Sequence, residues 1–187
     1  MTVKKKPAKK PDFFQWLRSG LRKLSQRHPP LYEAKADAKR PYVGDNPRQK
    51  VCYECAKCKS LVSTKECAVD HIEDAGSLKG WEDLEGFARR LFCGKEGLQL
   101  LCHSCHDIKT YMVKHGVSEE QAIIEKEVIN ILKTESKEDI INFIEMFDFE
   151  NKFLTNNEKE RRIALTEIFT MLHKGEWECV NLKSAIK

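Results

Sequence analysis

Two pairs of cysteines with the same spacing place the strongest constraint on how this chain can fold. Cys55-Ala-Lys-Cys58 and Cys102-His-Ser-Cys105 each separate their thiols by two residues, and 43 residues lie between the pairs. Each pair can form a tight turn that points both thiolates at one cation, and two such turns complete the tetrahedral geometry of structural zinc. We therefore predict that these four cysteines bind one structural zinc ion that joins two distant segments.

The register of the first pair requires a choice, because Cys52-Tyr-Glu-Cys55 has the same spacing. We favour Cys55 and Cys58, with residues 51–54 as a strand that leads into the turn. A closed four-cysteine site has no open coordination position, so this metal is expected to be structural and not catalytic. The remaining cysteines are then expected to be small buried apolar residues: Cys52, Cys67, Cys93 and Cys179.

The composition favours an intracellular metal-binding protein over a disulfide-bonded or membrane protein. Hydrophobic residues make up 41% of the 187 residues and mean hydropathy is −0.56. No apolar run reaches the roughly 18 residues that cross a bilayer, and the basic N-terminus lacks the apolar stretch of a secretory signal. We therefore expect a cytoplasmic protein with no membrane partner, whose eight cysteines do not form disulfides.

Charge is distributed unevenly along the chain. Residues 1–50 carry 14 Lys and Arg against 4 Asp and Glu, whereas residues 116–187 carry 10 against 15. A basic front end suits a polyanion such as nucleic acid, although a solubilising tail is an equally good interpretation. Three cations lie off the apolar stripe of the first helix and are candidate contacts to DNA phosphates or parts of a solvated face: Arg18, Arg22 and Lys23.

Apolar periodicity predicts helices on both sides of the cysteine-rich region. Residues 1–11 are expected to be a disordered basic tail, and Asp12 to cap a helix that runs to about Ser25. Pro29 and Pro30 are expected to break regular structure before a short helix over 31–39. Three further helices are predicted near residues 122–132, 140–147 and 163–172, with capping signals at Ser118, Ser136 and Asn157.

Two short polar motifs add candidate chemistry to the metal site. Asp70 and His71 are adjacent in "VDHI", which has the character of a short strand, and His106 follows the second cysteine pair at the start of a predicted helix. Taken alone, Asp70-His71 would be a surface pair or a satisfied core histidine. The zinc, however, brings the strand and the helix together. A carboxylate and two histidines can then hold a cation such as Mg²⁺ and deprotonate a water.

Together, "YECAKC", "VDHI" and "LQLLCHSCHDIKT" resemble the HNH endonucleases, especially the small phage-type enzymes with a four-cysteine zinc. The resemblance covers about residues 50–112. It implies an α+β fold, mainly helical, with a ββα-metal (HNH) core stapled by a structural zinc and with helical N- and C-terminal extensions. The implied organisation is a tail, a basic helical segment, a nuclease domain and a helical extension: 1–11, 12–49, 50–115 and 116–187.

The resemblance also implies roles for individual residues. His71 matches the histidine that activates water, whereas Asp70 and His106 match the two ligands of a catalytic Mg²⁺ or Mn²⁺. Lys109, on the helix after His106, is a candidate contact to the DNA backbone. The partner would be double-stranded DNA, and the location would be the bacterial host cytoplasm if the protein is phage-encoded.

One position departs from the family pattern. Gly97 in "KEGLQLLC" stands where the family usually has an asparagine, and no asparagine occurs between Asn46 and Asn130. In the family that asparagine braces the loop beside the base histidine. In this chain, backbone groups or one of three carboxylates would have to take over, or activity would be reduced. The candidate carboxylates are Asp74, Asp83 and Glu96.

The favoured function from the sequence is therefore a metal-dependent HNH endonuclease that nicks or cleaves double-stranded DNA. One alternative is a catalytically inactive, zinc-stapled nucleic-acid-binding module, for which Gly97 is the clue. Another is a structural adaptor that binds a protein through its C-terminal helices. The acidic C-terminal region is interpreted as a surface for a protein partner or self-association, or as an extension of the core.

Overall fold

The computed structural model describes residues 12–46, 48–147 and 157–174. The predicted tail at 1–11 and Cys179 lie outside these ranges. The helices are α1 Phe13–Ser25, α2 Pro29–Asp37, α3 Leu84–Leu91, α4 His103–His115, α5 Glu119–Thr134, α6 Lys137–Glu145 and α7 Glu158–His173. The strands are β1 Lys39–Pro41, β2 Val51–Glu54, β3 Leu61–Val62, β4 Cys67–His71 and β5 Leu98–Cys102.

The chain divides into two compact units, Met1–Asp107 and Ile108–Lys187. The first contains two small antiparallel sheets, one in the order β1-β2-β3 and one formed by β4 and β5. The described part of the second unit is helical. Small sheets within a mainly helical chain agree with the predicted α+β class. The strand expected over residues 51–54 is confirmed as β2.

The β4–β5 pair positions the polar motifs. Asp70 lies opposite Gln99, and His71, the last residue of β4, lies opposite Leu98. β5 is buried for most of its length and is followed directly by α4, which begins at His103. The strand pair therefore ends in a helix, and residues 72–97, which include α3, form the connection between the two strands.

A small apolar cluster lies under this connection. Its buried members come from the connection and from α3: Ala75, Leu78, Phe87 and Leu91. Three side chains of α1 pack against it: Phe14, Leu17 and Leu21. The buried stripe of α1 is narrower than the periodicity predicted, since Phe13 and Leu24 are 47% and 60% exposed. Trp81, just before α3, is 65% exposed, and its ring centroid lies 5.5 Å from that of Phe13.

The N-terminal ends of two helices differ in detail from the prediction. Asp12 occupies the N-cap position of α1, but its side chain accepts no hydrogen bond from the first turn. Pro29 and Pro30 form the first turn of α2 and do not precede it. Proline is tolerated there because the first N–H groups of a helix have no intrahelical acceptor.

The second unit has a continuous apolar core. Ten buried residues of α5, α6 and α7 form it: Ile124, Val128, Ile131, Ile140, Phe143, Ile144, Ala164, Leu165, Ile168 and Phe169. The predicted starts are confirmed, because the Ser118, Ser136 and Asn157 side chains each accept a hydrogen bond from a first-turn N–H. Among the described helices, none combines the length and apolar character needed to cross a bilayer.

Candidate metal centres and active site

The four cysteines of the two spaced pairs come together in the first unit. Cys55 follows β2, Cys58 lies in the next turn, Cys102 ends β5 and Cys105 lies in the first turn of α4. Their sulfur atoms all lie within 4.8 Å of one another, and Cys58 Sγ is 3.8 Å from Cys102 Sγ. Four sulfurs at about 2.3 Å from a tetrahedral zinc are about 3.8 Å apart. The cluster could therefore hold a zinc ion.

Backbone hydrogen bonds shape the first cysteine turn for this purpose. The Cys102 N–H donates to Cys55 Sγ at 3.3 Å, and the Ala56 N–H donates to the Leu100 carbonyl at 2.8 Å. Lys59 has φ of +61°, which turns the chain back so that the carbonyl of the next residue, Ser60, accepts from the Cys55 N–H at 3.0 Å. A non-glycine residue seldom adopts this left-handed conformation. The turn thus directs both thiols of the pair toward the second pair.

The thiols of the cluster have unequal acidity. Hydrogen bonds from Ser60 lower the pKa of Cys58 to about 6. Burial is the main cause that raises the pKa of Cys102 and of Cys105. Several thiolates this close together repel one another, and a bound cation would offset that repulsion. Metal binding at this cluster would therefore release protons.

The three other cysteines that the structure describes lie outside this cluster. Cys52 is 2% exposed, but its Sγ lies 3.4 Å and 3.7 Å from the carbonyls of Pro41 and Arg40. It behaves as the small buried residue that was expected. Cys67 and Cys93 are half-buried, so the prediction of full burial is wrong for them.

Asp70 on β4 and His106 on α4 lie close together. Asp70 Oδ1 lies 3.9 Å from His106 Nε2, and the two side chains are 20% and 37% exposed. Two ligands of one cation with bond lengths near 2.1 Å must lie within about 4.2 Å of each other. The pair meets that limit, and its partial exposure leaves room for waters or a phosphate.

The His71 ring is held in one orientation by a backbone group. Its Nε2 lies 3.0 Å from the carbonyl oxygen of Leu91, the last residue of α3. A carbonyl oxygen can only accept, so Nε2 carries the hydrogen, and in the neutral ring the lone pair is on Nδ1. No sequence pattern indicates Leu91 in this role, because the contact uses its backbone carbonyl and its side chain is apolar and buried.

Gly97 is required by space in this loop. A Cβ at Gly97 would lie 2.7 Å from Cys93 Sγ and 3.0 Å from Cys93 Cβ, so an asparagine would force Cys93 to move. The Gly97 carbonyl accepts a hydrogen bond from the Ile72 N–H at 2.8 Å. Asp74 and Asp83 accept from backbone N–H groups of residues 76, 79 and 80. A backbone hydrogen bond, one of the braces considered from the sequence, is thus present at Gly97.

The predicted DNA-contacting cations have different surroundings. Lys23 is exposed on α1, and Arg18 on the same helix is half-buried. The Arg22 guanidinium lies 3.4 Å from the Gly76 carbonyl and 5.8 Å from the centre of the Phe87 ring, so it braces the connection after β4. Lys109 is half-buried on α4, three residues after His106. Their contacts to DNA stay predictions.

Comparison with known proteins identifies the family. A probable HNH endonuclease of Lactococcus phage SK1 is 35% identical to this chain over 74 residues, which are 40% of this chain and 71% of that protein. No protein-family model and no solved structure matches the chain. The similarity covers more than two thirds of the phage protein. The chain therefore belongs to the family of that protein, the HNH endonucleases.

Proposed function

We propose that the protein is a metal-dependent DNA endonuclease that nicks or cleaves double-stranded DNA. Its ββα-metal core would be β4, β5 and α4, with the cysteine cluster bound to a structural zinc. The observation that carries the proposal is the 3.9 Å approach of Asp70 Oδ1 to His106 Nε2, directly beside His71 at the end of β4. The identity to a probable HNH endonuclease supports the same reaction class.

His71 is assigned the role of general base. Because the Leu91 carbonyl accepts from Nε2, the Nδ1 lone pair of the neutral ring is the one able to take a proton from water. The water oxygen then attacks the phosphorus as its proton passes to Nδ1. The bond from phosphorus to the 3′ oxygen breaks, the departing oxygen takes up a proton from the solvent, and His71 later releases its proton to the solvent. The products are a 5′ phosphate and a 3′ hydroxyl.

Asp70 and His106 would hold Mg²⁺ or Mn²⁺, and their chemistry and spacing fit that group. When bound, the cation would polarise the scissile phosphate and stabilise charge on the departing 3′ oxygen. Asp70 and His106 would also orient that phosphate relative to His71. The zinc has a separate structural role, because its four cysteines leave no position for substrate.

The DNA would be bound through its phosphates by the basic face of the first unit. The assigned contacts of this unit are Arg18, Lys23 and Arg22, whose guanidinium also donates to the Gly76 carbonyl. Lys109, on the part of α4 that belongs to the second unit, is assigned as a further phosphate contact. Such affinity releases counterions from DNA and should fall steeply as salt is raised. Affinity that stays constant between low and high salt would contradict this assignment.

Supercoiled plasmid tests the proposed function. The zinc-loaded protein is incubated with Mg²⁺, with Mn²⁺ or with a chelator that leaves the zinc in place, beside His71→Ala. The matched control is His103→Ala, which removes an exposed histidine in the second cysteine turn. We expect metal-dependent conversion to open-circular or linear DNA by the wild type and the control, and its loss in His71→Ala. Equal cutting by wild type and His71→Ala would remove His71 from the mechanism.

The presence of Gly97 favours a second candidate, an inactive zinc-stapled module that binds nucleic acid. It predicts DNA binding that does not depend on Mg²⁺ and a plasmid that stays supercoiled with every metal. Two hydrogen bonds argue for the active form: the Ile72 N–H donates to the Gly97 carbonyl, and His71 Nε2 donates to the Leu91 carbonyl. Both attach residues 91–97 to the end of β4 without an asparagine.

A further inference from the structure

We propose that His28 is a positioning residue for the base, His71. His28 would hold the loop at residues 91–97, and the carbonyl of Leu91 in that loop orients the His71 ring. The inference rests on the proposed function for its catalytic consequence. His28 lies in the N-terminal helical segment, which the sequence analysis interpreted either as a DNA-binding extension or as a solvated basic region. Its contact with the loop gives that segment a role in building the active site.

The loop 91–97 is attached to the end of β4 at both of its ends. The Leu91 carbonyl accepts from His71 Nε2 at 3.0 Å, and the Gly97 carbonyl accepts from the N–H of the next residue, Ile72, at 2.8 Å. Any displacement of the loop therefore reaches the base histidine directly. What holds the middle of the loop accordingly decides how firmly His71 is oriented.

His28 holds the middle of this loop. Its Nε2 lies 3.0 Å from the Cys93 carbonyl oxygen, a contact between residues 65 apart in sequence, and the carbonyl must be the acceptor. The His28 ring also stands edge-on to the Phe92 ring, with centroids 5.5 Å apart and an angle of 89° between the planes. His28 is the N-cap residue of α2, yet its side chain makes no cap hydrogen bond and reaches the loop instead.

The Cys93 side chain is confined on the opposite side by Gly97. Its Sγ occupies the space where a Cβ at residue 97 would stand, at 2.7 Å. The Cys93 carbonyl is therefore held by His28. The Cys93 side chain fits into the space left by the missing side chain of Gly97. Only Phe92 lies between Leu91 and Cys93, so this arrangement sets the direction of the Leu91 carbonyl. The hydrogen bond to His28 thus supports the loop in the region where the family asparagine is missing.

A second contact between the same helix and the same loop supplies a control. Lys95 Nζ lies 2.9 Å from Asp37 Oδ2 at the C-terminal end of α2, with the two side chains 50% and 62% exposed. Exposed ion pairs contribute little to stability because water and salt screen them. Asp37→Asn should therefore remove a tie between α2 and the loop without a change at His71.

Two substitutions separate the hydrogen bond of His28 from its ring packing. His28→Phe keeps an aromatic ring against Phe92 and removes the donor to the Cys93 carbonyl. His28→Gln removes the ring and keeps an N–H donor near the position of Nε2. Folding and zinc content are compared first, by circular dichroism and metal analysis. All variants are then measured as full-length, zinc-loaded protein.

The first readout is the ¹⁵N chemical shifts of the His71 ring, which distinguish the two neutral tautomers; the signals are assigned by their absence in His71→Gln. We expect the wild type, His28→Gln and Asp37→Asn to show Nε2 protonated, and His28→Phe to shift toward an average of both tautomers. The second readout is plasmid cleavage, where His28→Phe should lower kcat by about three- to tenfold with KM unchanged, the cost of one hydrogen bond.

The two readouts fail separately. Wild-type shifts in His28→Phe would overturn the proposal, and so would the same disturbance in His28→Gln or in Asp37→Asn, because the hydrogen bond would then not be the cause. The ring signals decide the role of His28 even if the protein cleaves no DNA. An absence of cleavage by the wild type would overturn the proposed function and leave the positional result to stand or fall by itself.

Discussion

The two compact units are stabilised by different means. In the first unit the two buried clusters that surround the candidate site are small, and one of them consists mostly of cysteines: Cys55, Leu101, Cys102 and Cys105. The second unit contains a continuous apolar core contributed by three helices. Burial of apolar area is the main favourable term in folding. We therefore expect the second unit to be stable by itself and the first unit to require a metal ion at the cysteine cluster.

The difference also explains where chemistry is placed. Polar side chains of the first unit are fixed by hydrogen bonds to backbone carbonyls, as with His71 and Leu91 or His28 and Cys93. These hydrogen bonds hold the half-buried rings of His28 and His71 in one orientation. In the second unit the side chains that matter for stability are buried and apolar. Four substitutions can break or sharpen this contrast, from the largest expected effect to the smallest.

Loss of the zinc site should have the largest effect. Cys55→Ser removes a fully buried sulfur of the cluster, and structural zinc sites contribute roughly 10 kcal/mol or more to folding. We expect the cooperative unfolding of the first unit to disappear while the helical signal of the second unit remains. Calorimetry measures the unfolding transitions, circular dichroism measures the helical signal, and zinc analysis measures the metal content. Cys52→Ser is the matched control, since Cys52 is equally buried but outside the cluster; equal loss of zinc from both variants would contradict the register.

Truncation in the apolar core should come next. Phe143→Ala removes a ring that is 2% exposed in the second unit, at a cost of about 3–5 kcal/mol. We expect the unfolding transition of the second unit to move to lower temperature, with zinc content unchanged. Ile163→Ala, at a position that is 50% exposed on α7, should change little. A similar loss from both variants would show that burial is not the source of this unit's stability.

Filling the space at Gly97 should have a smaller effect. Gly97→Ala places a Cβ within 3.0 Å of two Cys93 atoms, and overpacking of this kind costs about 1–3 kcal/mol. Chemical denaturation of the first unit would measure the loss. Adding Cys93→Ala removes the sulfur and should restore part of the stability. If the double variant were no more stable than Gly97→Ala, the contact with Cys93 would not be the reason for glycine.

Loss of a helix cap should have the smallest effect. The Ser118 side chain accepts a hydrogen bond from the Gln121 N–H at 3.2 Å at the start of α5. Ser118→Ala should therefore lower the free energy of unfolding of the second unit by about 1 kcal/mol. Ser118→Asp keeps an acceptor and should behave like the wild type in the same denaturation experiment. Equal destabilisation by the two substitutions would point to a steric cause.

Local patterns predicted those features that depend on residue type and spacing. The cysteine spacing predicted the four thiols that lie together, residues 51–54 were correctly predicted as a strand, and the starts of α5, α6 and α7 followed from their capping residues. Features that depend on long-range backbone contacts were not predictable. Nothing in the sequence indicates that the Leu91 carbonyl meets His71, or that His28 reaches Cys93 across 65 residues.

The central claim is that Asp70 and His106 share one catalytic cation that is distinct from the zinc. Binding of Mn²⁺ to the zinc-loaded protein, followed by the decrease of the free-ion signal in electron paramagnetic resonance, tests it most directly. We expect one Mn²⁺ per wild-type chain, a loss of at least about tenfold in affinity, or 1.4 kcal/mol, in Asp70→Ala and in His106→Ala, and unchanged binding in His71→Ala. Wild-type binding in Asp70→Ala, or loss of binding in His71→Ala, would contradict the account.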